Sequence, residues 1–290
     1  MKGEMHGSPL TRDAIARARE ELEASGQGDA RREADELYAA VTCGASGSAW
    51  LDRERAIAEP VRERLMIAAQ RRARGWPQAY AAGRANFRGH WLAVDQRVLI
   101  PRPETEGLVE LVLGALKPGQ TVADIGTGSG AIAIALALES SAAGVIATDA
   151  SADALNVALE NAQALGAKER IGFRRGDLLV PLLDELVDVI VSNPPYVASG
   201  EWEALETGVR DYEPRLALDG GPDGLDAIGR LVVQARGNLN AGGLLALEVD
   251  SGRAPESAAL VSAAGFEQVE VRPDLFGRPR YVLGRQPERA

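Results

Sequence analysis

Cysteine is nearly missing from this sequence of 290 residues: Cys43 stands alone, so no disulfide can close within the chain. His6 and His90 are the only histidines, too few to build a Cys/His zinc site with it. Cys43 therefore reads as a small apolar residue near a helix end. No run approaches the roughly 20 uninterrupted apolar residues of a membrane span. Residues 1–12 lack the apolar core of a secretory signal, and a cytoplasmic location is expected. Aromatic residues are sparse at 4%, yet 46% apolar and 26% charged residues keep the composition in the globular range. Positive charge is also short. Residues 1–90 carry 15 Lys and Arg against 13 Asp and Glu, whereas the remainder carries 17 against 29. Phosphate binding needs clustered positive charge, so the larger part of the chain is poorly suited to gripping nucleic acid directly. The arginines of the front part read as a solvated helix face, with contact to an RNA-bearing partner as the alternative. Internal repeats and low-complexity tracts are absent.

What is present suggests two units, as the length also does. Ser8-Pro9 reads as a helix N-cap with proline at the first position, followed by Leu10, Ile15, Ala18 and Leu22. Asp29 reads as the cap of a second helix carrying Leu37, Tyr38 and Val41. A short helical piece is expected around 52–58, and Pro60 opens a longer helix. Between 87 and 100 the period changes to alternation, which predicts a β-hairpin with its turn at Gly89-His90 and a further strand at 98–100. We therefore expect a helical substrate-recognition domain at 1–82, a hairpin linker at 83–100 and a catalytic domain at 101–290. In the last, strand signals at 121–125, 145–148, 171–174, 187–191, 244–249, 268–272 and 280–283 alternate with helices through most of the domain, implying a mostly parallel, doubly wound α/β sheet of seven strands.

Two motifs fall at ends of these strands. The first strand runs into Asp124-Ile125-Gly126-Thr127-Gly128-Ser129-Gly130, where glycines permit close approach of a nucleotide-like cofactor. Asp149 ends the next strand, about twenty residues on, where an acid suits a ribose diol. Spacing alone leaves NAD and S-adenosylmethionine both open. Asn193-Pro194-Pro195-Tyr196 ends the fourth strand. Two prolines stop the ladder and stiffen the exit, which fixes the direction of the loop carbonyls. A primary amide or amine can then donate one hydrogen to the Asn193 side-chain oxygen and another to the Pro194 carbonyl, with Tyr196 on its planar face. This element configures an amino acceptor and offers no place for a nicotinamide ring, so the cofactor is read as S-adenosyl-L-methionine. Asp177 and Leu178, after the third strand, lie where an adenine would bind, although Asp177 also suits a helix cap. Residues 201–223 are dense in turn formers and read as a long loop of the kind that serves as a lid.

With these residues in place the sequence resembles the glutamine N5-methyltransferases that act on peptide chain release factors. The similarity is carried by Gly83-Arg84-Ala85-Asn86-Phe87, Leu99-Ile100-Pro101-Arg102-Pro103-Glu104-Thr105-Glu106, Asp124 to Gly130, Ser192 to Tyr196, Glu213-Pro214 with Gly220-Gly221-Pro222-Asp223-Gly224, and Ala264-Gly265-Phe266. Asn-Pro-Pro-Tyr is shared by many amino-group methyltransferases; its combination with Pro-Arg-Pro-Glu-Thr-Glu is specific. The resemblance implies methylation of the glutamine of a Gly-Gly-Gln motif in bacterial release factors. It also implies that Gly126, Thr127, Gly128, Ser129 and Gly130 wrap the methionine part of the cofactor, that Asp149 holds the ribose, and that Asp177 and Leu178 meet the adenine. Asn193, which also borders the cofactor, would grip the substrate amide together with Pro194, Pro195 and Tyr196. Asn193, Pro194 and Tyr196 are the catalytic candidates. Arg102, Glu104 and Thr105 lie in a loop that approaches the same site. The chain departs from the family at Glu248-Val249-Asp250-Ser251, where relatives tend to have glycine after the Glu-x pair, and in its helical front.

An amide nitrogen is a weak nucleophile, so catalysis is expected from placement rather than from a strong base, a metal or a covalent intermediate. Rival readings are a glutamine methyltransferase acting on a ribosomal protein, an adenine-N6 methyltransferase, and a non-catalytic cofactor- or release-factor-binding module. The acidic catalytic part disfavours the nucleic-acid substrate, and the intact Asn193 and glycine loop disfavour the non-catalytic module.

Overall fold

The computed structural model describes residues 9–288 apart from Gln27, Ser46, Ala143 and Asp184. The chain divides into two compact units, Met1–Gln96 and Arg97–Ala290.

The first unit contains α1 (Thr11–Ser25), α2 (Ala30–Thr42), α3 (Ser48–Asp52), α4 (Glu59–Ala73), α5 (Gln78–Ala82) and a hairpin of β1 (Arg84–Phe87) and β2 (His90–Ala93). Ala14, Ala18 and Leu22 recur every four residues along α1, so they form one stripe, which packs with Leu37, Leu65 and Ala69 in a shared core. Asp29 caps α2 by accepting from the Arg32 amide at 3.2 Å. The buried Glu33 accepts from both Nε and Nη2 of Arg72, at 2.8 and 2.9 Å. This fork satisfies both carboxylate oxygens and ties α2 to α4. The sequence places the start of α1 at Pro9, whereas the helix begins at Thr11; Ser8 lies outside the described residues. Before the helix the chain is extended: Ile57 N donates to the Pro9 carbonyl and Thr11 N to that of Arg55, with Leu10 bridging Ala56. The same pairing holds 55–57 extended, so the expected helix at 52–58 appears upstream as α3. Cys43 ends α2 in the left-handed conformation and is exposed. The hairpin turn falls at Arg88-Gly89, with φ of 49° and 80°, and His90 belongs to β2. Two positive φ values match the twist of the flanking strands, which moves the turn one residue ahead of Gly89-His90.

The second unit runs α6 (Pro103–Ala115), β3 (Thr121–Ile125), α7 (Ala131–Glu139), β4 (Gly144–Asp149), α8 (Ala152–Ala164), β5 (Ile171–Arg175), β6 (Val187–Ser192), α9 (Thr207–Arg210), α10 (Asp226–Asn238), β7 (Leu239–Glu248), α11 (Ala254–Ala263), β8 (Glu267–Pro273) and β9 (Pro279–Arg285). The expected seven-stranded α/β sheet is there, in the order β5-β4-β3-β6-β7-β9-β8. It is parallel except for β9, which runs antiparallel to β7 and β8. Residues 98–100 are not a strand; the Ile100 amide donates instead to a side chain, Glu213 Oε2, at 3.1 Å. Ala123, Ile125, Ile190, Leu245, Leu247 and Val282 fill one core with Leu231 and Val261. Central strands covered on both faces need apolar residues at nearly every position, which is why 187–191 reads as a continuous run. Strand order reverses at β3, with β4 and β5 on one side and β6 and β7 on the other. Such a reversal opens a crevice beyond the carboxyl ends of the strands.

Candidate active site at the strand-order reversal

In register, Ile125 of β3 lies beside Ser192 of β6, and Ser192 beside Leu247 of β7. The next residues, Gly126 and Asn193, therefore leave the sheet side by side, while Glu248 is the last residue of β7 and still pairs with Tyr281 of β9. Ser192 Oγ donates to the Ile125 carbonyl at 2.6 Å, which locks the two exits together.

The glycine turn has φ of 75° at Gly126, 55° at Gly128 and 84° at Gly130, values that L side chains rarely adopt. A Cβ at Gly126 or Gly128 would meet nothing within 4 Å, so both face open space. At Gly130 a Cβ would stand 3.0 Å from Ile134 Cδ1 and 3.2 Å from Ala158 Cβ, so this glycine serves the packing of the turn on α7 and α8. Thr127 and Ser129 are buried. The Thr127 hydroxyl donates to Asp124 Oδ2 at 2.6 Å, and the Ser129 carbonyl accepts from Asn161 Nδ2 at 2.9 Å. Asp124 Oδ2 also accepts from the Ala133 amide in the first turn of α7, at 3.1 Å. Its Oδ1 is buried with no hydrogen-bond partner among the described residues. Loss of hydration is the largest effect on Asp124 and lifts its pKa to about 7, against the two hydrogen bonds that favour the anion. Asp149 accepts from Gly128 N through Oδ2 and from Ser151 N through Oδ1, each at 2.9 Å. Burial raises its pKa, and these amides pull it back. Asp149 thus holds the glycine turn from β4. Leu178, at φ 49°, accepts from Thr148 Oγ1 at 3.0 Å through its carbonyl, which keeps it beside Asp149. Asp177 is exposed and accepts from Arg230 Nη2.

Beyond β6, Pro194 is buried, while Asn193, Pro195 and Tyr196 are half-buried. Tyr196 packs on the core, and burial, with Glu248 adding to it, pushes its phenol well above the ordinary range. Asn193 Nδ2 donates to Thr105 Oγ1 at 3.2 Å. The segment read as a lid is tied to this loop. Val197 N donates to Leu218 O at 2.9 Å, while Gly220 N donates to Val197 O and Ser199 N to Gly221 O, both at 2.8 Å. Glu213, buried, accepts from Arg102 Nη2 as well as from Ile100 N. On the far side, Tyr281 of β9 donates its hydroxyl to the Glu104 carbonyl at 2.7 Å. Sequence reasoning named Glu213 and Glu248 only as parts of longer stretches, gave neither a role at the site, and passed over Tyr281. Glu248 has one legible signal, a carboxylate closing the apolar run 244–247. Among the described residues no group of His, Cys, Asp and Glu could hold a metal.

The glycine turn with its open face, the unpartnered Asp124 oxygen and the adjacent Asp149 fit a cofactor with a cationic amino-acid part and a diol. Asn193, with its amide nitrogen on Thr105, has its carbonyl on the opposite branch, suited to an incoming N–H.

Comparisons with known proteins agree with this arrangement. Residues 105–221 match the family described as "Methyltransferase small domain", and residues 13–83 match "PrmC N-terminal domain". The chain is 43% identical over 281 residues to a release factor glutamine methyltransferase of Moorella thermoacetica, covering 96% of this chain and 99% of that protein. It is 42% identical over 275 residues to the protein of the same description from Cereibacter sphaeroides, covering 95% and 98%. Among solved structures, a methyltransferase from Pyrococcus furiosus superposes with a TM-score of 0.53 at 18% identity, covering 68% of this chain and 88% of that one. A Thermus thermophilus 16S rRNA methyltransferase superposes with a TM-score of 0.50 at 19% identity, covering 71% and 50%. The likeness to these two is one of fold.

Proposed function

The chain belongs to the release factor glutamine methyltransferases, and from that premise we propose how its own residues carry out the transfer. The enzyme uses S-adenosyl-L-methionine to methylate the side-chain amide of a release-factor glutamine. Its place of action is the glutamine of the Gly-Gly-Gln motif, at N5, in the cytoplasm. Release factors are its protein substrates. In this reading it grips neither nucleic acid nor membrane directly, and the acidic balance of the catalytic part supports the first.

The observation that carries the assignment of roles is the side-by-side exit of the glycine turn and Asn193 at the strand-order reversal. Gly126 and Gly128 let the backbone approach the cofactor, and Asp124 Oδ1 waits for its cationic part. Asp149 holds the ribose while bracing Gly128, and Leu178 covers the adenine. Asp177, committed to Arg230, reaches the adenine amine only by leaving that pair. The bound cofactor supplies a methyl group activated by its sulfonium. Asn193 Oδ1 and the Pro194 carbonyl accept the two amide hydrogens, which draws electron density to nitrogen and aligns it for in-line attack. Tyr196 and the buried Pro194 keep water away. The proton leaves after transfer, so no strong base is required. The domain at 1–82 takes the role of recognising the release factor.

The direct test is mass spectrometry of a purified release factor after incubation with the enzyme and cofactor. One added methyl, on the Gly-Gly-Gln glutamine, is expected; methyl transfer to a ribosomal protein or to nucleic acid alone would reject the reading.

Two further results are expected. Asp149→Ala weakens cofactor binding by about tenfold to a hundredfold, the worth of a charge-assisted hydrogen bond, and calorimetry that finds no change would remove Asp149 from the site. Cofactor affinity also falls with acid. Asp124 keeps its proton up to about pH 7, and only its anion attracts the cationic cofactor, so the dissociation constant rises by up to about tenfold per unit as pH drops below 7. The free protein shows the opposite sign. Its folded state holds a proton that the unfolded chain has released, so this group's contribution to stability declines as pH rises from the ordinary carboxylate range towards 7. A flat binding profile from pH 6 to 8 would contradict the role of Asp124.

A further inference from the structure

The turn between β8 and β9, residues 274–278, stands at the same ends of the strands as the site. Ser192 is level with Leu247 and Leu247 with Val282, so Val282 marks on β9 the level at which β6 ends. β9 runs antiparallel to β7, and its earlier residues therefore lie beyond that level; Val249 N, already past the end of β7, donates to the Arg280 carbonyl at 2.9 Å. Arg278 precedes Val282 by four residues, which at about 3.3 Å each puts the base of the turn about 13 Å beyond the end of β6. β9 is two strands away from β6, about 10 Å to the side. The two offsets combine to roughly 16 Å.

The tip of this turn is apolar, where turn residues are ordinarily polar. Leu275 is 99% exposed and its neighbour Phe276 80% exposed. A single surface leucine needs no explanation, but this pair is held out by an ordered backbone. Asp274, itself buried, accepts through Oδ1 from Phe276 N at 2.9 Å and from Arg278 N at 3.0 Å. Asp274 N donates to the Arg278 carbonyl at 2.8 Å, and Gly277 N donates to the Asp274 carbonyl at 3.0 Å. A turn fixed in this way loses little further freedom when its side chains are covered.

We propose that Leu275 and Phe276 are a docking anchor for the release factor, covered by an apolar patch on the folded factor beside its Gly-Gly-Gln loop. Position names the occupant. The substrate of this family is a protein, and its glutamine has to arrive where β3 and β6 end. A standard protein interface covers about 800 Å² on each partner, a patch about 32 Å across, so a footprint that includes the end of β6 takes in the turn as well. A tripeptide spans at most about 11 Å and cannot touch both. The anchor therefore recognises the folded factor and not the motif. Arg278, exposed beside the pair, suits an acidic rim around the apolar patch.

The inference rests on the release factor being the substrate, and the experiment separates the two. Wild type is compared with the double variant Leu275→Ser with Phe276→Ser, and with the conservative double variant Leu275→Met with Phe276→Leu. Measured for each are the release-factor and cofactor dissociation constants, single-turnover methylation at saturating release factor and cofactor, and sedimentation of the enzyme alone. The serine variant is expected to bind the release factor about tenfold to a hundredfold more weakly, from the loss of two covered apolar side chains. Its saturated single-turnover rate and its cofactor affinity stay within about twofold of wild type, because both substituted side chains are exposed in the free enzyme. The conservative variant binds the release factor within about threefold of wild type. The proposal is overturned if the serine variant binds the release factor as tightly as wild type, if its saturated rate or cofactor affinity falls in step with binding, or if the conservative variant binds as weakly as the serine variant. A wild type that self-associates, beside a monomeric serine variant of unchanged release-factor affinity, would assign the pair to a second copy of this chain and overturn it too. A wild type that methylates no release factor defeats the reading of the substrate; a methylating wild type with a serine variant of unchanged affinity defeats only the anchor.

Discussion

Asn193→Ala is expected to lower single-turnover methylation by about a hundredfold to a thousandfold, the usual cost of deleting one preorganised contact at a reacting atom. The loss has two parts. One substrate hydrogen is left unpaired in a site lined by the buried Pro194 and the half-buried Tyr196. The nitrogen also loses the acceptor that fixes its approach. Release-factor affinity is expected to change much less than turnover, because most contacts with so large a substrate lie elsewhere. On the proposed assignment Asn193 also borders the cofactor, so a modest weakening there is anticipated, and saturating cofactor removes it. The measurement pairs single-turnover methylation with separate release-factor binding. Near-normal turnover would return Asn-Pro-Pro-Tyr to the status of a strand terminator.

The second large effect is expected at a residue that touches neither substrate. Gly220→Ala would put a Cβ 2.7 Å from the Pro195 carbonyl oxygen, 2.9 Å from Tyr196 Cα and 2.9 Å from the Gly224 carbonyl oxygen. All three are backbone atoms, so no side chain can swing aside. The Asn193 loop must move or the brace must detach, and a displacement near 1 Å at the reacting centre costs about a hundredfold in rate. Overpacking should also remove about 1–3 kcal/mol of stability. Gly200→Ala is the control, since a Cβ there would meet nothing within 4 Å. Rates for the two variants within a factor of two of each other would show that the brace does not position the loop.

Gly220 also marks how far the sequence can be read. All seven strands of the sheet and their order of appearance were legible, the parallel β3 to β7 because buried parallel strands write themselves as apolar runs separated by helical periods, and the antiparallel β8 and β9 by alternation. The glycine turn and Asn193 were legible because strand ends and prolines are local signals. What escaped was set by partners far along the chain. Residues 98–100 alternate like a strand, but the Ile100 amide belongs to Glu213. The 201–223 stretch has no period, so it read as a mobile cover, whereas its end is laddered to Val197 and Ser199. The pairing of Asp177 with Arg230, 53 residues on, was likewise not visible in the sequence. Glu248 belongs to the Glu-x pair that precedes the departure at Asp250-Ser251 and drew no role; its burial depends on β7 lying between β6 and β9, which no local window reports. Helix starts failed for the same reason, as at Leu10, where pairing with Ala56 overrides the proline signal.

The hydroxyl of Tyr281 on the Glu104 carbonyl joins residues 177 positions apart. A Cβ at Gly107 would stand 2.2 Å from that hydroxyl, so α6 is cut back to receive it. The start of α6, with Thr105, is therefore seated against β9. β9 is also the strand that covers the edge of β7, whose terminal residue is Glu248. During synthesis the glycine turn and Asn193 emerge before β9, and the Tyr281 contact with the start of α6 forms only once β9 has been made. Non-local pairings of this kind form late, because a long loop must close before they are rewarded. A chain released before β9 would leave the edge of β7 open and the start of α6 without its Tyr281 contact.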